Sequence, residues 1–441
     1  MSGGTPVLWR RGDIPRALGI SSTEVNAGFY AGDVRLGSLR EQGTVDFLVY
    51  RSLGDAHDGG GMKPCFLGAF DVDGQVLWQQ GEGGTQPSRP GPVTLYDIDN
   101  DGRDEVVCFF KDASRIAEST SLADVVLQIR CGSSGEVIHQ AAPKAITECS
   151  GEGPNWVHQR LLVANLRGAD RPTDLIVKIG DRIVALDDQF NTLWTYTSPW
   201  TEYGHCPAYI PSIGDIDRDG HDEVNGGYFL LDHDGTVIWE DDLAPHMDSV
   251  AITEWDGGHQ RAICSGSGHV LDATGSPILS LGETVVPHGQ EVRVARFDAN
   301  DPSPQMVIRW NGHNTDSVVA DTQGDVVNRF NLNASPNNTG MEVVYWEGPD
   351  EPARLCMADR LWNPITGHAV GLPGVAEVNP IGRMAWYHCI PANVCGDQRE
   401  EVILYNPWSP EIWIFTQEDS DGKAFTGYRP GSRQYNVRLM D

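Results

Sequence analysis

The chain has 441 residues, a formal net charge of −30, and an abundance of Gly (50), Pro (27) and Trp (13). That acidity would repel a phosphate backbone, so nucleic acid is excluded as a partner, and no run approaches the ~18 apolar residues of a membrane helix. The Gly, Pro and Trp content belongs to many short strands joined by turns, not to helical bundles.

In chain order, the opening "MSGGTPVLWRRGDIP" shows neither the basic nor the apolar region of a secretory leader. The compartment stays open: cytoplasmic as written, secreted if a leader was removed. From residue 28 to 416 one phrase then recurs: D-x-x-G-x-x-[LIV]-W. It reads "FDVDGQVLW" at 70–78, "LDDQFNTLW" at 186–194, "LDHDGTVIW" at 231–239 and "LDATGSPIL" at 271–279. Looser copies are "RCGSSGEVIH" (130–139), "ADTQGDVVNRF" (320–330), "LWNPITGHAV" (361–370) and "YNPWSPEIWIF" (405–415).

Each copy is a strand, a tight turn and a second strand, a hairpin signature. Each follows a strand–acidic turn–strand segment such as "VANLRGADRPTDLIVKI". Four strands recurring with a period of roughly 50 residues match the blades of a β-propeller. The expectation is an all-β, single-domain propeller over 1–441, with eight blades and seven as the alternative count. "PVLWRR" is expected to close the ring against the last blade. The nine cysteines lack C-x-x-C spacing and read as mostly buried small hydrophobes, with one or two disulfides if the protein is secreted.

Two acidic loops stand out: "YDIDNDGRDEVV" at 96–107 and "GDIDRDGHDEV" at 214–224. An EF-hand needs a bidentate Glu at loop position 12, but Cys108 and Gly226 stand there, and strand residues follow instead of a helix. What remains is D-x-D-x-D-G-x-x-E. Asp97, Asp99, Asp101 and Glu105, and likewise Asp215, Asp217, Asp219 and Glu223, form a compact set of hard oxygen donors expected to bind Ca2+ structurally. The blander reading is a solvated acidic turn.

The turns expected to precede the innermost strands are "DAHDGGGMKP" (55–64), "NWVHQRLL" (155–162), "EYGHCPAY" (202–209), "APHMDSVA" (244–251), "VPHGQEVRV" (286–294), "NNTGMEVV" (337–344) and "WYHCIPANV" (386–394). Six of the seven hold a histidine: His57, His158, His205, His246, His288 and His388. Capping or inter-blade hydrogen bonding is the ordinary role for any one of them; their recurrence points to a shared mouth. His57, in its Gly-rich turn, and His205, near Tyr203 and Tyr209, are the expected proton-transfer residues. Arg160 and Arg293, which follow histidines, are expected to clamp a carboxylate, with Arg309 the weaker candidate. Tyr209, His158, His288, Tyr387 and His388 are expected to bind substrate. Asp248 and Glu291 stand nearby, and Trp156, Trp200, Trp310, Trp346 and Trp386 offer flat faces for sugars or, more ordinarily, inter-blade core.

"PSIGDIDRDGHDEVNGGYFLLDHDGTVIW" followed by "HMDSVAITEWDGG" resembles the calcium-dependent propeller rhamnogalacturonan lyases, loosely, over about three-quarters of the chain. "AHDGGGMKPCFLGAF", "HCPAYIPSIGD", "VPHGQEVRV" and "WYHCIPANVCGD" resemble more closely the single-domain lyases that cut L-rhamnose from α-1,4-linked D-glucuronate on gum arabic and arabinogalactan. The resemblance implies β-elimination on an acidic, rhamnose-containing polysaccharide by a monomeric enzyme. Two other classes stay open: a propeller α-L-rhamnosidase, and a non-catalytic, calcium-stabilised propeller for sugar binding or adhesion.

Overall fold

A computed structural model of the protein describes residues 4–15, 30–53, 62–87, 93–110, 122–123, 125–149, 160–199, 202, 207–208, 210–310, 316–331, 341–357, 359–375, 388–405, 411–420 and 427–436. They build eight four-stranded antiparallel sheets. Blades 1 to 7 span 30–87, 93–141, 160–197, 212–240, 250–280, 289–331 and 342–371, each with its strands in chain order. Blade 8 takes three strands from 388–417 and its fourth from Pro6–Asp13, which pairs antiparallel with Glu411–Gln417. The N-terminal strand thus closes the ring, joining the two ends of the chain in one sheet.

The first strand of each blade meets the first strand of the next, from blade 1 through blade 8. These are the inner strands. Because each sheet is sandwiched between two others, both faces of an inner strand are buried, while the outermost strands stay largely exposed. In Arg160–Ala164, Leu161 and Val163 pack into the blade 2–3 layer, while Leu162 and Ala164 pack into the blade 3–4 layer. That is why the strands read as unbroken apolar runs. The core is a ring of layers between blades, with no single centre.

The recurring Trp and Gly have a common explanation. The Trp of one blade lies over the turn glycine of the next: Trp78 over Gly135, Trp194 over Gly235 and Trp239 over Gly275. A Cβ at Gly135 would fall 2.5 Å from the Trp78 ring, and Gly135 also adopts φ 71°, so the turn needs glycine on both counts. Trp78 Nε1 donates to Gly132 O (2.6 Å) and Trp194 Nε1 to His233 O (2.7 Å).

Residues 427–436, beyond the last repeat, fold back to the inner strands and end in the one-turn helix Ser432–Tyr435. Thr94 donates to Tyr435 O (2.9 Å), Gln434 donates to Pro391 O (3.2 Å), and the Asn436 amide exchanges two bonds with the Val163 backbone. This segment sits among the inner strands of blades 2, 3 and 8. Seven cysteines in the described residues are free thiols, six of them buried. Among the described residues no helix is long and apolar enough to cross a membrane.

Candidate functional site

Antiparallel order fixes which connections share a face of the ring. Turns that precede the inner strands open on one face; the turns between first and second strands open on the other. The acidic loops therefore lie on the face opposite the histidine turns.

On the histidine face, the turn before Val250–Asp256 carries His246 and Asp248, and the turn before Gly289–Ala295 carries His288. His246 Nε2 lies 2.8 Å from Asp248 Oδ1, and the His246 and His288 rings meet edge to face with centroids 5.2 Å apart. Donor atoms of all three residues fall within 4.8 Å of one another. Asp248 is buried, whereas His288 opens to solvent. Partial desolvation of the His288 ring lowers its pKa; Asp248 opposes this and His246 adds to it. Such a group can pass protons, and its donors could also hold a cation.

Below the mouth, a cavity of about 300 Å³ runs along the inner strands of blades 3 to 7, with Thr253, Arg293, Glu342, Tyr345, Ser432 and Asn436 in its wall. Arg293 is held 2.8 Å from Glu291 and 3.2 Å from Glu342 of blade 7. Burial disfavours its charge, but Glu342 and Glu291 outweigh it and raise the guanidinium pKa. Glu291 also accepts from Met341 N (2.8 Å) and from Arg309 Nε (3.3 Å). Two arginines and two carboxylates thus lock blade 6 to blade 7.

The structure separates the sequence candidates. Arg293 reaches the cavity wall. Arg309, on the second strand of blade 6, is fully buried and bonded to Glu291 and Gln290. Arg160 begins the inner strand of blade 3 but is only 1% exposed, and His388 begins that of blade 8 at 2%. His388 packs 5.6 Å from Tyr405. His57, His158, His205, Tyr203, Tyr209 and Tyr387 lie outside the described residues, as do Trp156, Trp200 and Trp386. Trp346 is buried in the blade 7–8 layer.

One placement is corrected. Residues 55–64 do not precede an inner strand: they join the second strand of blade 1, Asp46–Leu53, to the third, Met62–Asp71. Motif spacing misplaced them because blade 1 is longer than its sisters. Three features went unassigned in the sequence: the pairing of His246 with Asp248, the role of Glu342, and the C-terminal segment. The histidine turn signalled the first; nothing in the local pattern signalled the other two.

The acidic loops of blades 2 and 4 share one geometry. Asp97 and Asp215 each accept two backbone N–H bonds, from Asp101 and Gly102 and from Asp219 and Gly220, at 3.0–3.1 Å. Asn100 (φ 64°) and Arg218 (φ 67°) occupy the same left-handed position. Glu105 accepts from Ile98 N (3.0 Å) and Glu223 from Ile216 N (2.8 Å). Donor oxygens converge within 4.8 Å for Asp97, Asp99 and Asp101 in one loop and for Asp215, Asp217 and Glu223 in the other. Glu105 stands outside the first group, and Asp219 turns toward His221.

The second carboxylate oxygen of Glu223 is buried without a hydrogen-bond partner. Burial foremost, then the neighbouring aspartates, push Glu105 and Glu223 each up to about 8, against a hydrogen bond from the backbone. An all-carboxylate donor set with an unpartnered buried oxygen fits a hard cation such as calcium.

The ring and its mouth define an eight-bladed propeller with a histidine-lined opening and an acidic opposite face, and it resembles the rhamnogalacturonan lyase propellers. No protein-family model matches the chain. It is 26% identical over 267 residues to rhamnogalacturonan exolyase YesX of Bacillus subtilis (strain 168), a match that covers 52% of this chain and 43% of that protein. The chain therefore aligns with less than half the length of that curated relative. Among solved structures, exotype rhamnogalacturonan lyase YesX superposes with TM-score 0.67 and 20% identity, covering 88% of this chain and 72% of the other. Rhamnogalacturonan lyase YesW superposes with TM-score 0.65 and 21% identity at the same coverage. These superpositions establish the fold.

Proposed function

We propose that the protein is a polysaccharide lyase that cleaves a rhamnose–uronate bond by β-elimination. Its substrate would be rhamnose linked to glucuronate on gum arabic or arabinogalactan side chains, or rhamnogalacturonan itself. The convergence of His246, Asp248 and His288 at the mouth carries the proposal, and the sequence similarity to a rhamnogalacturonan exolyase supports it.

Elimination needs a base for the C5 proton and an acid for the departing C4 oxygen. The C5–H electron pair becomes the C4–C5 double bond as the C4–O bond breaks. His288, with its lowered pKa, suits the base. His246, beside the buried Asp248 carboxylate, suits the acid. His57 and His205, with Tyr203, are alternative holders of these roles on the sequence pattern of their turns. His158, Tyr209 and Tyr387 are proposed to contact substrate.

Neutralising the uronate carboxylate acidifies C5, and Arg293, in the cavity wall, is the arginine proposed for it. A uronate there would compete with Glu291 and Glu342, so tight capture requires Arg293 to exchange partners. Arg160, Arg309 and His388 would support the wall from behind. Calcium would be held by Asp97, Asp99 and Asp101 in one loop and by Asp215, Asp217 and Glu223 in the other, with Glu105 and Asp219 outside these two groups, and would staple turns on the far face.

The test is a screen of gum arabic, rhamnogalacturonan and ulvan for unsaturated product, which absorbs in the ultraviolet because its new double bond is conjugated to the carboxylate. His246→Ala and His288→Ala should each lower kcat at least ~100-fold, the scale of general acid–base catalysis. Saturated reducing sugars would instead indicate a hydrolase, and intact polymer a binding protein. Full activity in both variants would move the chemistry to His57 and His205.

A further inference from the structure

We propose that His221, His233 and Asp219 form a second cation site on blade 4, suited to a borderline transition ion such as Zn(II) and distinct in chemistry from the neighbouring all-carboxylate group. The comparison between the two acidic loops points to it. In blade 2 the residue after the loop glycine is Arg103, whose Nε donates to Asp101 at 2.9 Å, so the loop carries its own fixed cation. In blade 4 the same position is His221, which supplies a lone pair where Arg103 supplies a charge.

His221 Nδ1 lies 3.1 Å from Asp219 Oδ1. That is about the separation of two donors sharing one tetrahedral ion at ~2.0–2.1 Å. The other side of the His221 ring rests on Gly168 of the blade 3 loop, where a Cβ would fall 2.5 Å from Nε2, so the ring is held between neighbouring blades. His233 arrives from a different element, the hairpin turn "LDHDG" of the same blade. It stacks on His221 with centroids 4.3 Å apart and planes at 25°. Its Nδ1 lies 2.7 Å from Asp232 Oδ1, a carboxylate backing that orients metal-binding imidazoles.

Donor atoms of Asp219, His221 and His233 all lie within 4.8 Å of one another. Imidazole nitrogens select zinc, nickel or copper over calcium, whereas Asp215, Asp217 and Glu223 offer only hard oxygens. A bound ion would join the loop between the first two strands to the hairpin between the last two.

The test is to titrate tag-free, calcium-saturated protein with Zn(II), counting equivalents bound by the wild type, His221→Arg and His233→Ala. His221→Arg restores the residue that blade 2 carries and should keep the fold, which circular dichroism checks. Any zinc bound elsewhere, including at His246 and His288, is common to all three proteins and cancels. The wild type should bind one more equivalent than either variant, or bind it at least ~10-fold more tightly. Equal stoichiometry and affinity in the wild type and His221→Arg would overturn the proposal, whatever the behaviour of His233→Ala.

Discussion

The turn after the inner strand is closed differently in blades 3 and 4. In blade 3, Asp174 at the head of the second strand accepts from Leu166 N and Arg167 N (both 3.0 Å) and from Arg167 Nε (2.7 Å). In blade 4, Glu223 takes the same place and accepts from Ile216 N, but its other oxygen is buried with no donor, and Asp215, Asp217, Asp232 and His233 stand around it in place of an arginine. Blades 1 and 2 repeat the contrast, with Asp46 on Arg40 in one and the Asp97 loop in the other. The two kinds of turn are also joined: Asp222 accepts from Asn165 N of blade 3 (2.7 Å), and Asp104 from Ser38 N of blade 1 (2.7 Å). One position, an acid capping the turn, can draw its counter-charge from an arginine in the chain or from an ion in solution. The second choice makes stability conditional.

The largest effect expected is from chelation. If both acidic loops hold calcium at about 100 times its dissociation constant, each contributes about 2.7 kcal/mol, so stripping both should lower the melting temperature by several degrees. An unchanged melt, with no bound metal by elemental analysis, would remove the distinction between the two kinds of turn. Next comes Asp174→Ala, which strands two backbone N–H groups and should cost about 2–3 kcal/mol. Its cost should be the same with and without calcium in a denaturant titration; a calcium-dependent cost would mean that the blade 3 turn also draws on an ion.

A pH-graded effect follows. Glu105 and Glu223 are raised from 4.5 to about 8 in the metal-free fold, so that fold binds more protons than the unfolded chain between these values. The metal-free protein should therefore lose stability as pH rises through that window. Calcium uptake near neutral pH should release protons, measurable by calorimetry in buffers of different ionisation enthalpy; no release would contradict the raised values. The smallest effect is that of Arg167→Ala. Its side chain is 46% exposed, so the loss should stay under ~1 kcal/mol by thermal melting, although it removes the cation paired with Asp174.

Much of the ring was legible because its signals are local. The acidic loops take their own turn-closing bonds from residues no more than seven positions away, and the four-strand unit repeats often enough to count the blades. The candidate site was legible only in part. Histidine turns could be recognised by type, but "HGQEVR" does not show that Arg293 is engaged by Glu342, 49 residues on, or that Arg160 and Arg309 are sealed from solvent. The slot given to 55–64 failed for a related reason: a periodic phrase marks hairpins well but does not say which strand of an unequal blade comes next.

By itself, the sequence determined the class of fold, the closing role of "PVLWRR" and the shared carboxylate pattern of the two acidic loops, since each depends on backbone conformation and side-chain type over short spans. Only the tertiary structure decided which charges meet across blades. It brought His246 and Asp248 of one turn against His288 of the next, and His221 against His233 from the far hairpin of its own blade. It also carried residues 432–436 back to strands 273 and 341 positions earlier in the chain. Those contacts are set by ring closure and by the stacking of sheet on sheet, which place residues distant in sequence at contact distance and leave no trace in local periodicity.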